Sequence, residues 1–427
     1  MNQKTLYSFF FVILLVTEFY HIEIWGGVAR IYHFLAVLVV LSLFKFIRRL
    51  FKSSVFRALM AFVGVNLLAV SLSNEPAAAM VSFLSLAANL SIAMATALIL
   101  LAGKVDLASF KRLILRITLA SVFWGILQIA AFRFFRIDLS LSPEQATQLP
   151  LGFGPAFRTE ANAFGKYMII PFLFFLPEYI RNRQAEKLAL IYSVFVVGIL
   201  MNFTRTSIYG LGLTAFFILG WHVLHANLGV LVKKWIIFSS VASVFIILFA
   251  SGLFGADSYA FYKIYNLFNH EEMLTGGSSG FRLLSMENML NSFLSSGKTI
   301  LIGNGWGQVY MDYGGDFYQS GGGDLLVTLG YGGAFGGATY LLYMLFTFLS
   351  AKKVATSRLD TQTTQFAEGI MFVFVGIFCT GQMAGYLIAP EYWLFIGVGI
   401  CLSAKKRHHC YSYANLAGDR TRICTGF

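Results

Sequence analysis

The chain has 427 residues, of which 57% are hydrophobic and only 12% are charged. Soluble domains carry about 25% charged residues, so this composition excludes a soluble globular protein. Continuous apolar runs of roughly 20 residues recur from end to end, as helices need to cross a bilayer. The runs are continuous rather than alternating, and the sequence therefore predicts an all-α polytopic integral membrane protein.

The apolar runs predict about twelve transmembrane helices. The first run, Tyr7 to Tyr20, has no small-residue cleavage site and is interpreted as a retained signal anchor. The predicted bounds are 6–21, 30–46, 57–73, 80–102, 112–132, 163–180, 187–203, 206–226, 234–254, 323–350, 366–388 and 390–404.

Lysines and arginines concentrate in alternate loops and in both tails. Basic loops stay on the cytoplasmic side, so both termini are predicted to be cytoplasmic. The net charge of +12 therefore reflects orientation and does not indicate nucleic-acid binding. Two long loops then lie outside, at 131–162 and 251–322, where function is expected. Residues 1–404 form one predicted membrane domain, and 405–427 form a basic cytoplasmic tail predicted to be disordered.

The stretch from Leu274 to Gly337 contains 17 of the 40 glycines. Glycine lets the backbone approach a ligand closely and adopt positive φ. We therefore interpret this stretch as the wall of an extracytoplasmic active site. Within it, apolar residues between Phe281 and Phe293 recur at helical spacing and predict an amphipathic helix at the membrane surface.

Three outer arginines are candidate phosphate ligands. Arg158 lies in GPAFRTEANAFG, Arg205 in NFTRTSIYG and Arg282 in GGSSGFRLL. The planar, permanently charged guanidinium group suits a phosphate, and three of them near outer helix ends could converge on one lipid-linked diphosphate. The alternatives remain open: Arg205 snorkels to headgroups, and the other two are solvated loop residues.

Two outer carboxylates are candidates for acid–base chemistry. Asp324 follows three glycines and opens a predicted helix, where the alternative is an N-cap. Glu160 lies two residues from Arg158 and either takes part in catalysis or pairs with that arginine. Tyr313 and Tyr318 either stack on sugar faces or belong to an interfacial aromatic belt. The outer loops contain no cluster typical of a metal site, so no metal or other cofactor is expected.

Four segments, in order along the chain, resemble the bacterial O-antigen polymerase (Wzy-type) and O-antigen ligase superfamily. GPAFRTEANAFGKY resembles its outer-loop segment ending in Asn-x-x-Gly, and NFTRTSIYG resembles its arginine at a helix end. GFRLLSMENMLNSF followed by LIGNGWGQ resembles its arginine-bearing segment leading to a Gly-x-Gly turn. GGGDLLVTLGYGGAFGGATYLLY resembles its next helix. Together they cover about residues 150–350.

The resemblance implies a GT-C-like inverting glycosyltransferase of the bacterial inner membrane that uses sugar-diphospho-undecaprenol as donor, without metal. By this resemblance, Arg205 and Arg282 match the family's pyrophosphate-binding arginines, and Arg158 is a weaker match. Ligases carry a histidine where this sequence reads Gly322-Gly323-Asp324. The resemblance therefore favours an O-antigen or surface polysaccharide polymerase that joins undecaprenyl-diphosphate-linked oligosaccharide units. A chain-length regulator protein is a further expected partner.

Two other functions remain open. An O-antigen ligase is disfavoured by the missing histidine. A polysaccharide or lipid transporter is disfavoured because the sequence predicts no pair of broken helices and no inverted repeat.

Overall fold

The computed structural model describes residues 3–405, apart from 19–20, 25–26, 152, 159–160, 182–184, 201–204, 226–276, 314–315, 358–360, 383–384 and 388. This part of the chain is mostly helical, and six of its helices are long and apolar enough to cross a membrane. They lie at 54–71, 76–101, 107–135, 163–180, 324–355 and 361–381. The coarse prediction of a helical membrane protein is confirmed, whereas the count of twelve crossings stays a prediction.

The α-helices follow the apolar runs, with two further short helices and one long helix in the predicted outer loops. They are α1 (Gln3–Val16), α2 (Ile31–Ser42), α3 (Ser54–Ser71), α4 (Pro76–Leu101), α5 (Leu107–Ala130), α6 (Pro143–Ala146), α7 (Ala161–Arg181), α8 (Ala185–Leu200), α9 (Arg205–His225), α10 (Gly277–Leu294), α11 (Gly297–Leu301), α12 (Asp324–Ala355), α13 (Thr361–Gly381) and α14 (Pro390–Lys405). The helix predicted at 234–254 and the tail beyond 405 lie outside the described residues.

Polar residues ahead of the apolar runs set where helices start. The Ser53 hydroxyl accepts a hydrogen bond from the Phe56 amide at 3.2 Å ahead of α3. The Asp106 carboxylate accepts one from the Ser109 amide at 2.6 Å ahead of α5. Such caps satisfy amide groups that have no partner inside the helix. Both helices therefore begin earlier than hydropathy alone predicts.

Two small hairpins that the sequence did not predict accompany the helices. Strands β1 (His21–Ile24) and β2 (Gly27–Arg30) pair antiparallel between α1 and α2. Strands β3 (Tyr310–Tyr313) and β4 (Asp316–Gln319) pair antiparallel ahead of α12. The first helix is predicted to extend to residue 21, which is the first residue of β1, whereas α1 ends at Val16.

The core lies among α3, α12, α13 and α14. Helix α12 packs against α3, α13 and α14, and α14 packs against α4 as well. Trp393 in α14 is completely buried, as are Tyr340 and Tyr343 in α12. A helix surrounded on all sides has no polar face, and α14 is accordingly apolar between Glu391 in its first turn and Ser403 near its C-terminal end.

Helix α12 is broken where the Gly-x-Gly turn meets it. Gly333 has φ 66° and ψ −166°, which is not helical. The amide of Gly305 donates to the Tyr331 carbonyl at 3.0 Å, and the amide of Asn304 donates to the Gly330 carbonyl at 3.1 Å. A Cβ at Gly303, whose φ is +85°, would lie 2.4 Å from the Tyr331 oxygen. Glycine is thus required here by contact between a loop and a helix, and its density alone is not evidence for an active-site wall.

Long-range polar contacts assign the helix ends to two opposite ends of the bundle. At one end, Lys4 in the first turn of α1 pairs with Asp106 before α5 at 2.7 Å, and the hydroxyl of Ser54 lies 2.9 Å from that of Ser403. At the other end lie the end of α1 and the starts of α7, α12 and α14, described below. This grouping matches the one predicted from loop charges. Which end faces the cytoplasm stays a prediction.

Candidate active site

The Arg158 side chain is buried, although its sequence position suggests an outer loop. It is 1% exposed. Its Nη1 donates to the Glu18 carboxylate after α1, and to Oε2 of Glu391 at the start of α14 at 3.1 Å. The guanidinium carbon lies 4.2 Å from the centre of the Tyr167 ring in α7. Arg158, Glu18 and Glu391, here called the Arg158 ion cluster, therefore connect three segments that are far apart in sequence.

Two buried glutamines fix the backbone that carries Arg158. Nε2 of Gln145 donates to the Ala156 carbonyl at 3.1 Å and to the Arg158 carbonyl at 2.5 Å. Oε1 of Gln128 accepts from the Ala156 amide at 2.9 Å. Ala156 has φ 56°, a left-handed conformation that costs a non-glycine residue roughly 1–2 kcal/mol. Such a backbone persists only where its surroundings determine it, and the glutamines supply that support.

Nearby charges favour the ionised forms of Glu18 and Arg158. Burial on its own would raise the pKa of Glu18, but Arg158, Arg30 and Lys166 outweigh it and hold the pKa below its ordinary value. Burial would likewise lower the pKa of Arg158, but Glu391 and Glu18 raise it above its ordinary value. Nη2 of Arg158 has no hydrogen-bond partner among the described residues. The cluster therefore combines strong pairing with one unpaired buried donor.

Asp324 is also buried, at 1% exposure. The N-cap of α12 is Gly323, so the alternative that Asp324 caps this helix is wrong. Its Oδ1 instead accepts hydrogen bonds from the amides of Tyr386 at 2.7 Å and Leu387 at 3.2 Å. Its Oδ2 is buried without a partner among the described residues. The carboxylate thus has one oxygen fixed by the α13–α14 loop and one oxygen available.

Contact with Asp324 also explains why α13 ends early. The sequence predicts a helix to residue 388, whereas α13 ends at Gly381. The backbone at 386–387 must leave the helix for its amides to reach the Asp324 carboxylate. A contact between distant residues therefore overrides the local apolar pattern.

Lys166 lies between Asp324 and the Arg158 ion cluster. Its Nζ donates to the Gly385 carbonyl at 3.2 Å and lies 5.7 Å from the centre of the Tyr386 ring. The Tyr386 hydroxyl donates to the Lys166 carbonyl at 2.9 Å. The amide of Tyr386 also donates to Asp324. Helix α7 and the α13–α14 loop therefore link Asp324 to the Arg158 ion cluster.

Arg282 and Tyr318 lie beside the turn that leads to Asp324. Arg282 is half-buried in α10, and one turn on, the Ser285 hydroxyl accepts a hydrogen bond from the Gly321 amide at 2.6 Å. The Phe281 ring meets the Tyr318 ring edge-on at 5.4 Å, and Tyr318 is 40% exposed. An arginine and an exposed tyrosine thus adjoin the glycine turn at 321–323.

The predicted amphipathic helix at 281–293 is observed as α10. Its Met289 is buried, whereas Leu283, Leu284 and Leu290 are exposed. Exposed leucines along one helix are expected where the helix contacts lipid rather than water. A position at the membrane surface stays a prediction.

Three of the predicted site residues lie outside what the structure describes. Glu160 falls in the segment 159–160. Arg205 is the first residue of α9 and Tyr313 the last of β3, but the side chains of both are outside the described set. Their roles remain predictions.

Sequence reasoning missed Glu18 and gave Lys166 and Glu391 no role. Glu18 is the only acidic residue in the first predicted helix, and ionisable residues in apolar segments are typically paired and functional. That signal was present. Nothing local to Glu18 or Glu391 indicates that they meet at Arg158.

Among the residues with described positions, no three His, Cys, Asp or Glu side chains lie close enough together to hold a metal ion.

A cavity of about 380 Å³ lies between α5, α7 and α13. It is at the opposite end of these helices from Asp324 and does not belong to the candidate active site.

Comparison with models of known protein families gave no match, and a search of curated protein sequences gave none either. The resemblance to the O-antigen polymerase and ligase superfamily therefore rests on the four segments quoted above.

Proposed function

We propose that the protein is a polymerase that joins undecaprenyl-diphosphate-linked oligosaccharide units at the outer face of the bacterial inner membrane. An acceptor hydroxyl oxygen attacks the anomeric carbon of the donor, and the bond from that carbon to the diphosphate oxygen breaks. The hydroxyl proton passes to a base, and undecaprenyl diphosphate leaves with the bonding electrons. The configuration at the anomeric carbon is inverted.

The observation that carries this proposal is the arrangement around the glycine turn at 321–323. Asp324 follows this turn, α10 with Arg282 packs on it through Ser285, and Tyr318 in β4 contacts α10. A carboxylate, an arginine and an exposed aromatic ring are the groups needed for a base, a diphosphate clamp and a sugar platform. The resemblance supplies the reaction class that uses all three.

Asp324 is the base in this proposal. Two amides fix Oδ1 and so orient the carboxylate, while Oδ2 has no partner among the described residues. A general base must come within hydrogen-bond reach of the proton that it takes. Asp324 is 1% exposed, and Gly381 at the end of α13 lies close to Oδ2, so the acceptor reaches this oxygen only after the end of α13 or the α13–α14 loop moves.

Arg282 and Arg205 bind the leaving diphosphate. Negative charge grows on this group as the bond to the sugar breaks, and preorganised cations that meet growing charge supply a large share of catalysis. The half-burial of Arg282 limits competition from water.

Arg158 is assigned here to positioning rather than to the diphosphate. Its guanidinium group is already paired with two carboxylates and is 1% exposed. It holds the end of α1 and the start of α14 against the segment before α7, and Tyr386 and Lys166 connect that region to Asp324. This use of the arginine is consistent with the weaker match of Arg158 to the family pattern.

The break in α12 does not favour a transporter. Transporters use broken helices to expose carbonyl groups that coordinate ions. Here the carbonyls of Gly330 and Tyr331 accept hydrogen bonds from the Gly-x-Gly turn, so they are already occupied.

The test is the surface polysaccharide of a strain that lacks the gene, complemented with wild-type and variant chains. The proposal predicts a single repeat unit capping the lipid in the deletion strain and long chains after complementation. Arg282→Lys and Arg205→Lys should each reduce polymer to near the single-unit level, because an ammonium group loses the two-pronged contact. The loss of one such donor costs on the order of 10²–10³ in rate.

Arg136→Lys is the matched control, since Arg136 is exposed on the first outer loop and outside the matched segments. All variants must reach wild-type abundance in the membrane. Normal long chains in both the Arg282 and Arg205 variants would refute the proposed clamp, and no repeat unit at all in the deletion strain would indicate a ligase or a transporter.

A further inference from the structure

The cavity between α5, α7 and α13 has the size and lining of a ligand site. Its volume of about 380 Å³ lies within the range of roughly 300–1,000 Å³ that small-molecule sites occupy. Leu107, Phe175 and Phe366 line it and are buried. Its polar lining comprises Lys111, Arg112, Glu178, Gln362, Thr363 and Gln365.

The helix ends that form the cavity are expected at the depth of lipid headgroups. All three helices that form it are long and apolar enough to cross a membrane. The lining residues come from the first turns of α5, the last turns of α7 and the first turns of α13. Helix ends lie where the hydrocarbon core gives way to the polar interface, so the cavity opens beside the headgroup layer.

The charges of the lining leave one positive charge uncompensated. Nζ of Lys111 pairs with Oε2 of Glu178 at 2.5 Å and lies 5.5 Å from the centre of the Phe175 ring. Arg112 is exposed, and its Nη2 makes a long hydrogen bond of 3.4 Å to the Ser109 hydroxyl. The two cations and the single carboxylate give the lining a formal charge of +1, which one phosphodiester would neutralise.

We propose that this cavity binds the headgroup of an anionic phospholipid that carries a single phosphodiester. The Arg112 guanidinium group offers the two-pronged geometry that fits phosphate oxygens. The side-chain amides of Gln362 and Gln365 can donate to the same oxygens or to headgroup hydroxyls. The buried apolar wall suits the start of an acyl chain. Basic pockets between membrane helices are established sites for anionic headgroups, and this proposal does not depend on the proposed enzymatic function.

The test measures binding of phosphatidylglycerol to the purified full chain in detergent by native mass spectrometry. Phosphatidylcholine with the same acyl chains is the zwitterionic comparison. The wild-type chain should retain phosphatidylglycerol preferentially. Arg112→Gln should weaken that binding about fivefold to tenfold, the loss expected of one basic contact at a membrane surface. Because Arg112 is exposed, this substitution should not disturb folding.

Two further variants sharpen the test. Arg116→Gln removes an exposed charge from the next turn of α5, outside the cavity lining, and should leave binding unchanged. Glu178→Gln raises the formal charge of the lining from +1 to +2 and should strengthen binding. Equal retention of the two lipids, equal losses in the Arg112 and Arg116 variants, or weaker binding in the Glu178 variant would each overturn the proposal.

Inorganic phosphate distinguishes the source of the anion. If it displaces phosphatidylglycerol only at far higher concentration, the lipid assignment is supported. If phosphate binds as tightly as phosphatidylglycerol, the site takes a soluble anion and the lipid assignment is overturned.

Discussion

Replacing Arg158 with methionine tests the buried ion cluster directly. The change removes a cation that contacts both Glu18 and Glu391, and leaves these two carboxylates buried without it. At the 3.1 Å separation of Nη1 and Oε2 of Glu391, and an effective dielectric constant of about 20, one charge pair attracts by about 5 kcal/mol. Desolvation offsets part of this attraction, and removing one partner of a buried pair costs about 3–5 kcal/mol.

The contribution of Glu18 to stability should change with pH in opposite directions in the Arg158→Met variant and in the wild type. In the wild type the pKa of Glu18 lies below its ordinary value, so the stability gained from pairing is present above that ordinary value and is lost as the pH falls through the lowered pKa. Without Arg158, burial dominates and we expect the pKa of Glu18 to rise. A raised pKa stabilises the variant at low pH and destabilises it as the pH increases. The loss of unfolding free energy in the variant relative to the wild type should therefore be smaller at about pH 5 than at about pH 7.5.

The assay is thermal unfolding of the detergent-purified chains, with membrane abundance as a second readout. Arg116→Met is the matched control, because Arg116 is exposed and surface changes usually stay within about 0.5 kcal/mol. Adding Glu18→Gln and Glu391→Gln to Arg158→Met should recover part of the lost stability, since uncharged groups need no counter-charge. The reasoning is refuted if Arg158→Met loses no more stability than Arg116→Met, or if the triple variant is no better than the single one.

Three other predictions test the orientation, the break in α12 and the base. Reporters fused after Gln145 and after Asp316 should report the outer side and one after Arg183 the cytoplasm; a cytoplasmic signal at Asp316 would overturn the topology. Gly303→Ala should sharply reduce folded protein, because its φ is +85° and a Cβ there would lie 2.4 Å from the Tyr331 oxygen. Gly297→Ala, where a Cβ meets nothing within 4 Å, should be neutral, and equal abundance of the two variants would contradict the role given to Gly303. Asp324→Asn keeps an oxygen acceptor for the loop amides but removes the proposed base, so abundance should persist while polymer falls to the single-unit level; long chains in this variant would contradict the role proposed for Asp324.

The sequence carries the local determinants of this fold but not its long-range contacts. Apolar runs locate the helices, and loop charges predict which helix ends lie together. The partners of Arg158 could not be predicted in this way, because Glu18 and Glu391 lie 140 and 233 residues away and the nearer Glu160 offers a simpler pairing. The same limit applies to Gly303 and Gly333, whose shared contact is visible only once the turn and α12 are placed side by side.

The candidate site was predictable in part. Asp324 stands out because three glycines precede it and a helix follows, but its binding to the α13–α14 loop has no local signal. Arg282 and Tyr318 are 36 residues apart in the sequence, and the hairpin that brings Tyr318 to α10 has no strong strand pattern. Burial of Arg158 is a consequence of the complete fold, and a loop position alone indicates a solvated side chain.

The most direct test of the proposed function is polymerisation by the purified chain. The detergent-purified protein is incubated with a repeat unit linked to undecaprenyl diphosphate, in the presence of EDTA, and the products are separated by mass. The account predicts a ladder of lipid-linked chains, each step longer by one repeat unit, with one undecaprenyl diphosphate released per linkage. Folded wild-type protein that releases no undecaprenyl diphosphate, or that forms the ladder only when a divalent cation is restored, would contradict it.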